Sequence, residues 1–152
     1  MLDFDDDELT LITLLSEVGA IEQIARAKLD SALTGNLNVS NFALLNHFSR
    51  RKEEKTPLQL AKTFNVTKGA MTNTLNKLEK LGYIHIRPDW EDARKKLVSI
   101  SQSGIEARNN AMKLIKPLLK KIISNKIIIN ERELLTEIRK FREKVEDSFM
   151  KN

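Results

Sequence analysis

The chain's 152 residues suffice for one domain with a real core, and a composition of 41% apolar and 31% charged residues fits a soluble globular protein. It has no cysteine, which excludes disulfide scaffolds, Cys-rich zinc sites, thiol catalysis and thiol redox sensing together. The net charge of +5 is unevenly spread: residues 1–40 carry 2 basic and 8 acidic side chains, residues 41–96 carry 12 and 6, and residues 97–152 carry 12 and 7. A basic centre of this kind suits a polyanionic partner.

The opening run Met1-Leu2-Asp3-Phe4-Asp5-Asp6-Asp7-Glu8 is acidic where a secretory signal is basic, so a cytoplasmic location is expected. From Asp7 to about Leu33, apolar residues recur at helical spacing (Leu11, Leu15, Val18, Ile21 or Glu22, Ile24 or Ala25, Leu29, Leu33), which predicts a long first helix. The leading carboxylates then meet the positive end of the helix dipole, a simpler role than a metal site lacking converging ligands. Gly35-Asn36-Leu37-Asn38 breaks the pattern, and Ser40 is placed to cap a second helix through Phe42, Leu44, Leu45 and Phe48.

After the polar run at 50–55, Thr56 reads as an N-cap, with Pro57 at the first helical position and Gln59 completing a capping box. The short helix it opens carries Leu58, Leu60, Ala61 and Phe64 as far as Asn65, and Asn65-Val66-Thr67 is the turn. The next helix, from Thr67, buries Ala70, Met71, Leu75, Leu78 and Leu81 and turns Lys68, Gly69, Thr72, Asn73, Asn76, Lys77 and Lys80 outward. An ordinary surface helix favours Glu and Lys in paired spacing; Thr, Asn and Gly are poorer helix formers, and Gly costs ~1 kcal/mol against Ala. Contact with DNA explains their presence. Thr and Asn hydrogen-bond base edges, Lys reaches phosphate or guanine, and Gly69 lets backbone approach a phosphate at the helix N-terminus.

Gly82 stops that helix. Tyr83–Arg87 and Lys96–Ile100 alternate as two strands, with Ile84 and Ile86 answering Val98 and Ile100, and Pro88–Lys95 protrudes between them as a wing. Ser101 or Ser103 caps a following helix, Ser103 with Glu106 in a second capping-box pattern, and Pro117 is expected to kink that helix without ending it. Asn130 with Glu133 starts a last helix with the stripe Leu134 or Leu135, Ile138, Phe141, Val145 and Phe149. The fold class read from these elements is mainly α with a small β-hairpin: a winged helix-turn-helix at 40–101, flanked within one domain, 1–152, by dimerisation helices at 1–36 and 103–152.

Two stretches carry a resemblance to the MarR family of bacterial transcription regulators over nearly the whole chain. Asp92-Ala93-Arg94-Lys95-Lys96-Leu97-Val98-Ser99-Ile100-Ser101-Gln102-Ser103-Gly104 is similar to the family's wing signature, and Leu78-Glu79-Lys80-Leu81-Gly82-Tyr83-Ile84 to its usual exit from the recognition helix. The resemblance implies a recognition helix that contacts DNA through Thr67, Lys68, Gly69, Thr72, Asn73, Asn76 and Lys77. It also implies a wing that contacts DNA through Asp92, Arg94, Lys95 and Lys96, with Arg94 at or in the minor groove and Asp92 holding its guanidinium. A local surface ion pair is the competing account of Asp92 and Arg94. Trp90 departs from the family, which often has a smaller residue there; packing on the hairpin is expected, and lying along a sugar is the alternative.

The resemblance further implies a homodimer that places two recognition helices roughly 34 Å apart on a pseudo-palindromic duplex. A repressor tuned by a small aromatic or anionic effector is expected. No resident cofactor or metal is expected, since His47 and His85 are the only histidines. The chain lacks a Gly-rich phosphate loop, a Ser-His-Asp arrangement or a metal motif, so an enzyme is not expected. The alternative is a winged-helix module that binds protein, which calls for an apolar outward face over residues 68–80.

Overall fold

The computed structural model describes residues 4–125 and 130–150; Met1, Leu2 and Asp3 of the acidic opening run lie outside them. The element order is α1 (Asp6–Ala32), α2 (Val39–Arg51), α3 (Pro57–Thr63), α4 (Lys68–Lys80), β1 (Ile84–Pro88), β2 (Lys96–Ile100), α5 (Gln102–Ser124) and α6 (Glu131–Met150). The chain divides into two compact units, residues 1–118 and 119–152. No helix among the described residues is long and apolar enough to cross a membrane.

Helix α1 starts in a reciprocal capping box: the Glu8 N–H donates to Asp5 Oδ1 at 2.8 Å and the Asp5 N–H to Glu8 Oε2 at 2.9 Å. The expected apolar stripe reaches the core only at its C-terminal end, through the partly buried Leu29 and the buried Leu33. Leu11, Leu15, Val18, Ile21 and Ile24 stay 38–65% exposed. The cap of α2 differs from expectation. Asn38 fills it, accepting from the Asn41 N–H at 2.9 Å, while Ser40 lies inside the helix. Both residues can cap; Asn38 wins because the extended backbone a cap requires falls there.

The box at Thr56 forms as expected, with Pro57 in the first turn. Helix α3 ends at Thr63 and closes in a left-handed C-terminal motif. Asn65 adopts φ +49° and donates to Lys62 O at 3.1 Å, and the Val66 N–H reaches Ala61 O at 3.0 Å. The same motif ends α4: Gly82, at φ +71°, donates to Glu79 O and the Tyr83 N–H to Leu78 O, both at 2.9 Å. The angle at which the chain leaves each helix is thereby set by hydrogen bonds.

The hairpin is antiparallel, with Ile84 opposite Ile100 and Ile86 opposite Val98. Its first strand lies one residue later than read, because Tyr83 is held by the α4 C-terminal motif and Pro88 continues the pairing, opposite Lys96. A third segment joins the ladder: the Lys55 N–H donates to Val98 O at 3.2 Å and the Val98 N–H to Lys55 O at 2.9 Å.

The main core gathers Leu44, Leu45 and Phe48 of α2, Leu60 and Ala61 of α3, Met71, Leu75 and Leu78 of α4, and Ile84 and Val98 of the hairpin. At roughly 1.5–3 kcal/mol for each fully buried large apolar side chain, this cluster fixes α4 against the rest of the first unit. Met71, Leu75 and Leu78 are enough to fill the inner face of α4, so Ala70 is exposed and Leu81 only partly buried, contrary to the expected stripe. A second cluster holds Leu33, Phe42, Ala111 and Ile115.

The cap of α5 is Ser101. Its Oγ accepts from the Gly104 N–H at 3.0 Å and donates to Gly82 O at 2.6 Å. Ser103 sits within the first turn, and Glu106 accepts from the Gln102 amide at 3.1 Å, so the second capping box does not form. The helix runs through Pro117, where the missing N–H removes one rung of the helix ladder, and reaches Ser124. In the second unit α6 opens as expected, with the Glu133 N–H donating to Asn130 Oδ1 at 3.3 Å.

Candidate nucleic-acid interface

Thr67 caps α4, its hydroxyl oxygen accepting from the Ala70 N–H at 3.1 Å, so this side chain serves first to start the helix. Beyond it Lys68, Gly69, Thr72, Asn73, Asn76 and Lys77 are all exposed, opposite the buried Met71, Leu75 and Leu78. Thr72 donates its hydroxyl hydrogen back to Lys68 O at 2.8 Å, which leaves its lone pairs and methyl group facing out. Asn73, Asn76, Lys77, Lys80 and Leu81 line an open concavity of about 400 Å³. The face is polar and basic, with no acidic residue in the helix's first turn.

The wing is a hydrogen-bonded loop. The Asp89 N–H donates to Lys95 O at 3.0 Å and the Lys95 N–H to Asp92 O at 2.8 Å, while Asp89 Oδ1 accepts from the Glu91 N–H at 3.0 Å. Asp92 Oδ1 accepts from both the Nε and the backbone N–H of Arg94, each at 3.1 Å, and its Oδ2 lies 3.5 Å from Lys95 Nζ. The Arg94 side-chain bond, then its backbone bond and Lys95, hold the Asp92 carboxyl below the usual carboxylate range, so it stays ionised at neutral pH. Asp92 is therefore a tether at the base of the tip, with its side chain 24% exposed, while that of Arg94 is 91% exposed. Lys96 lies in β2 opposite Pro88 and is also exposed.

The support of the wing is not visible in the sequence. The Arg87 Nε donates to Glu54 Oε1 at 3.0 Å, its Nη2 pairs with Glu54 Oε2, and its Nη1 donates to Pro88 O at 3.0 Å. The same guanidinium lies over the Trp90 ring at 5.4 Å from the centroid. Trp90 is 85% exposed, so the expected packing on the hairpin amounts to this one-sided contact. The alternation of β1, which puts His85 and Arg87 opposite Ile84 and Ile86, was the only local signal for Arg87. Its partner Glu54 is 33 residues away and left none.

A separate cavity of about 200 Å³ in the first unit is lined by Arg26 of α1, Val39, Ser40, Ala43 and Leu44 of α2, Phe64 and Val66 of the α3–α4 turn, and Ala70, Met71 and Thr74 of α4. Arg26 pairs with Glu22 at 2.5 Å and reaches Ser40 Oγ at 3.5 Å.

The model of the MarR family matches residues 36–95, from the loop before α2 to the wing. No curated protein matches the chain. Among solved structures, the transcriptional regulator BldR from Sulfolobus solfataricus is similar at a TM-score of 0.81 and 24% identity, over 93% of this chain and 99% of that one. A mutant of MarR from E. coli complexed with operator DNA is similar at 0.71 and 23%, over 86% and 94% of the two chains. The organohalide-sensing transcriptional regulator RdhR, bound to 2,4-dichlorophenol, is similar at 0.68 and 19%, over 98% and 86%. The match of the family model across the helix-turn-helix and wing, together with a fold shared over nearly the whole length of the chain, shows a winged helix-turn-helix fold similar to that of the MarR family.

Proposed function

We propose that the protein is a sequence-specific double-stranded DNA-binding transcriptional regulator, a homodimer that acts as a repressor. The observation that carries this reading is the pairing, within one unit, of an outward polar and basic α4 face with a wing whose Arg94 is 91% exposed and tethered at its base. Thr72, Asn73 and Asn76 read base edges in the major groove, Lys68 and Lys77 meet phosphates, and Gly69 admits a phosphate to the helix N-terminus. Arg94, with Lys95 and Lys96, grips the neighbouring minor groove and backbone.

The dimer is built by residues 1–36 and 103–152 around the reading region 40–101. The exposed leucines and isoleucines of α1, and separately Leu134, Leu135 and Ile138 of α6, supply the apolar surface that such an interface requires. Two reading helices roughly 34 Å apart then call for a pseudo-palindromic site. A cavity of about 200 Å³ with an arginine on an apolar rim suits a small aromatic or anionic effector of single-ring size. A phenolic ligand bound to one relative of the same fold supports that choice.

Binding to the duplex upstream of the protein's own reading frame tests the proposal. Affinity should fall steeply with salt; Arg94→Ala should weaken it on every sequence and flatten the salt slope by about one charge, and Asn73→Ala should cost ~1–3 kcal/mol of site preference. Salt-independent binding, or a preference unmoved by Asn73→Ala, overturns it.

A further inference from the structure

We propose that Trp90 is a DNA-contacting residue, and that its indole lies flat against the deoxyribose edge of the duplex beside Arg94. This rests on the reading of the protein as a DNA-binding regulator and adds an apolar, charge-free contact to a wing otherwise understood through its cations.

At 85%, Trp90 is the most exposed large apolar side chain among the described residues. It does not sit on a loose loop. Asp89 and Asp92 accept from the following backbone N–H groups on either side of it, and the Asp89 N–H closes the loop on Lys95 O at 3.0 Å. One face of the indole lies against the Arg87 guanidinium, which Glu54 fixes by two bonds, and the solvent-facing surface has no partner to cover it among the described residues.

An indole held this way by an anchored cation is oriented before any ligand arrives, so little side-chain freedom is lost on contact. Asp89 and Glu91 flank the indole in the chain, but Arg94, Lys95 and Lys96 follow in the same wing with Asp92 pairing with the first two, so cations outnumber carboxylates over residues 87–96, which suits a polyanion. Among the parts of a duplex that a wing reaches, the sugar edge is the apolar one. An aromatic ring gains there by stacking and desolvation without reading sequence.

Trp90 is the only tryptophan in the chain, so its fluorescence reports on this residue alone. The full-length protein is titrated with fluorescein-labelled duplexes, one from upstream of its own reading frame and one of random sequence, while indole emission and anisotropy are followed separately. The expected results are a blue-shifted or quenched emission on binding to either duplex, and a loss of affinity of about tenfold in Trp90→Ala that Trp90→Phe largely restores. The salt slope should be the same in Trp90→Ala as in the wild type, since no charge is removed, whereas Arg94→Ala lowers it.

Duplex binding with unchanged emission and full affinity in Trp90→Ala overturns this inference and leaves the DNA-binding reading standing. A salt slope lowered by Trp90→Ala as much as by Arg94→Ala also overturns it, because Trp90 then acts only by placing the arginine. No binding of wild-type protein to any duplex overturns both.

Discussion

Replacing Gly104 by alanine should destabilise the protein, although a helix normally gains from that change. Gly104 lies in the first turn of α5, where the chain passes over the start of the hairpin. An added Cβ would overlap the Tyr83 carbonyl oxygen and stand 2.9 Å from both the Tyr83 carbonyl carbon and Ile100 Cγ1. The carbonyl has no easy retreat. It accepts the Ser101 N–H at 3.0 Å, its own residue's N–H is held by Leu78 O at 2.9 Å, and Ser101 Oγ ties Gly82 O to the Gly104 N–H.

Overpacking of this kind costs ~1–3 kcal/mol. Loss of the Ser101–Tyr83 bond adds about 1 kcal/mol, and the higher helix propensity of alanine returns about 0.5–1 kcal/mol. The net is about 2 kcal/mol of lost stability. For a protein of this size that lowers Tm by roughly 4–8 °C. Thermal melting followed by circular dichroism, at fixed protein concentration because the Tm of the proposed dimer depends on it, measures the effect. A Tm equal to or above that of the wild type refutes the reasoning, since it means that α5 and β1 separate freely.

Gly69 makes the opposite case: an added Cβ there would meet nothing within 4 Å, so Gly69→Ala should raise stability by about 0.5–1 kcal/mol while weakening duplex binding, and melting alongside anisotropy separates the two effects. His47, packed edge-on against Phe48 and Phe64, has its pKa lowered from 6.5 by burial first and by Arg51 and Lys55 next. The unfolded chain therefore takes up the proton first, so stability is full above 6.5 and declines as pH falls below it. Denaturant midpoints across that range should show the decline, and His47→Gln should flatten it. Leu15, 48% exposed on α1, is expected at the interface of the proposed dimer. Leu15→Glu should shift the protein from dimer to monomer by light scattering with its helix content kept, and an unchanged mass would place the interface elsewhere.

The reading region was largely legible because its signals are local. Thr56-Pro57-Leu58-Gln59 starts α3, Gly82 stops α4, and the four- and three-residue steps from Met71 to Leu75 to Leu78 orient α4. Competition between neighbours was less legible. Asn38 and Ser40, or Ser101 and Ser103, have equivalent capping chemistry, and the backbone that each loop adopts decides between them. Ala70 was misplaced because alanine is small enough to fit either face once larger residues fill the inner one. The anchoring of Arg87 and Trp90 by Glu54 was not legible, because it depends on how the segment before α3 folds beside the hairpin.

That segment's pairing with β2 bears on the proposed regulation. Lys55 is hydrogen-bonded to Val98 in both directions and immediately precedes the Thr56 cap, so the start of the helix pair and the hairpin share a backbone clamp. On the proposed duplex-binding reading, a helix and a finger coupled in this manner approach the double helix as a single calliper jaw of fixed gape. Any signal that loosens the grip therefore has to displace the jaw bodily, and substitutions that sever the clamp should blur sequence discrimination before they abolish attachment.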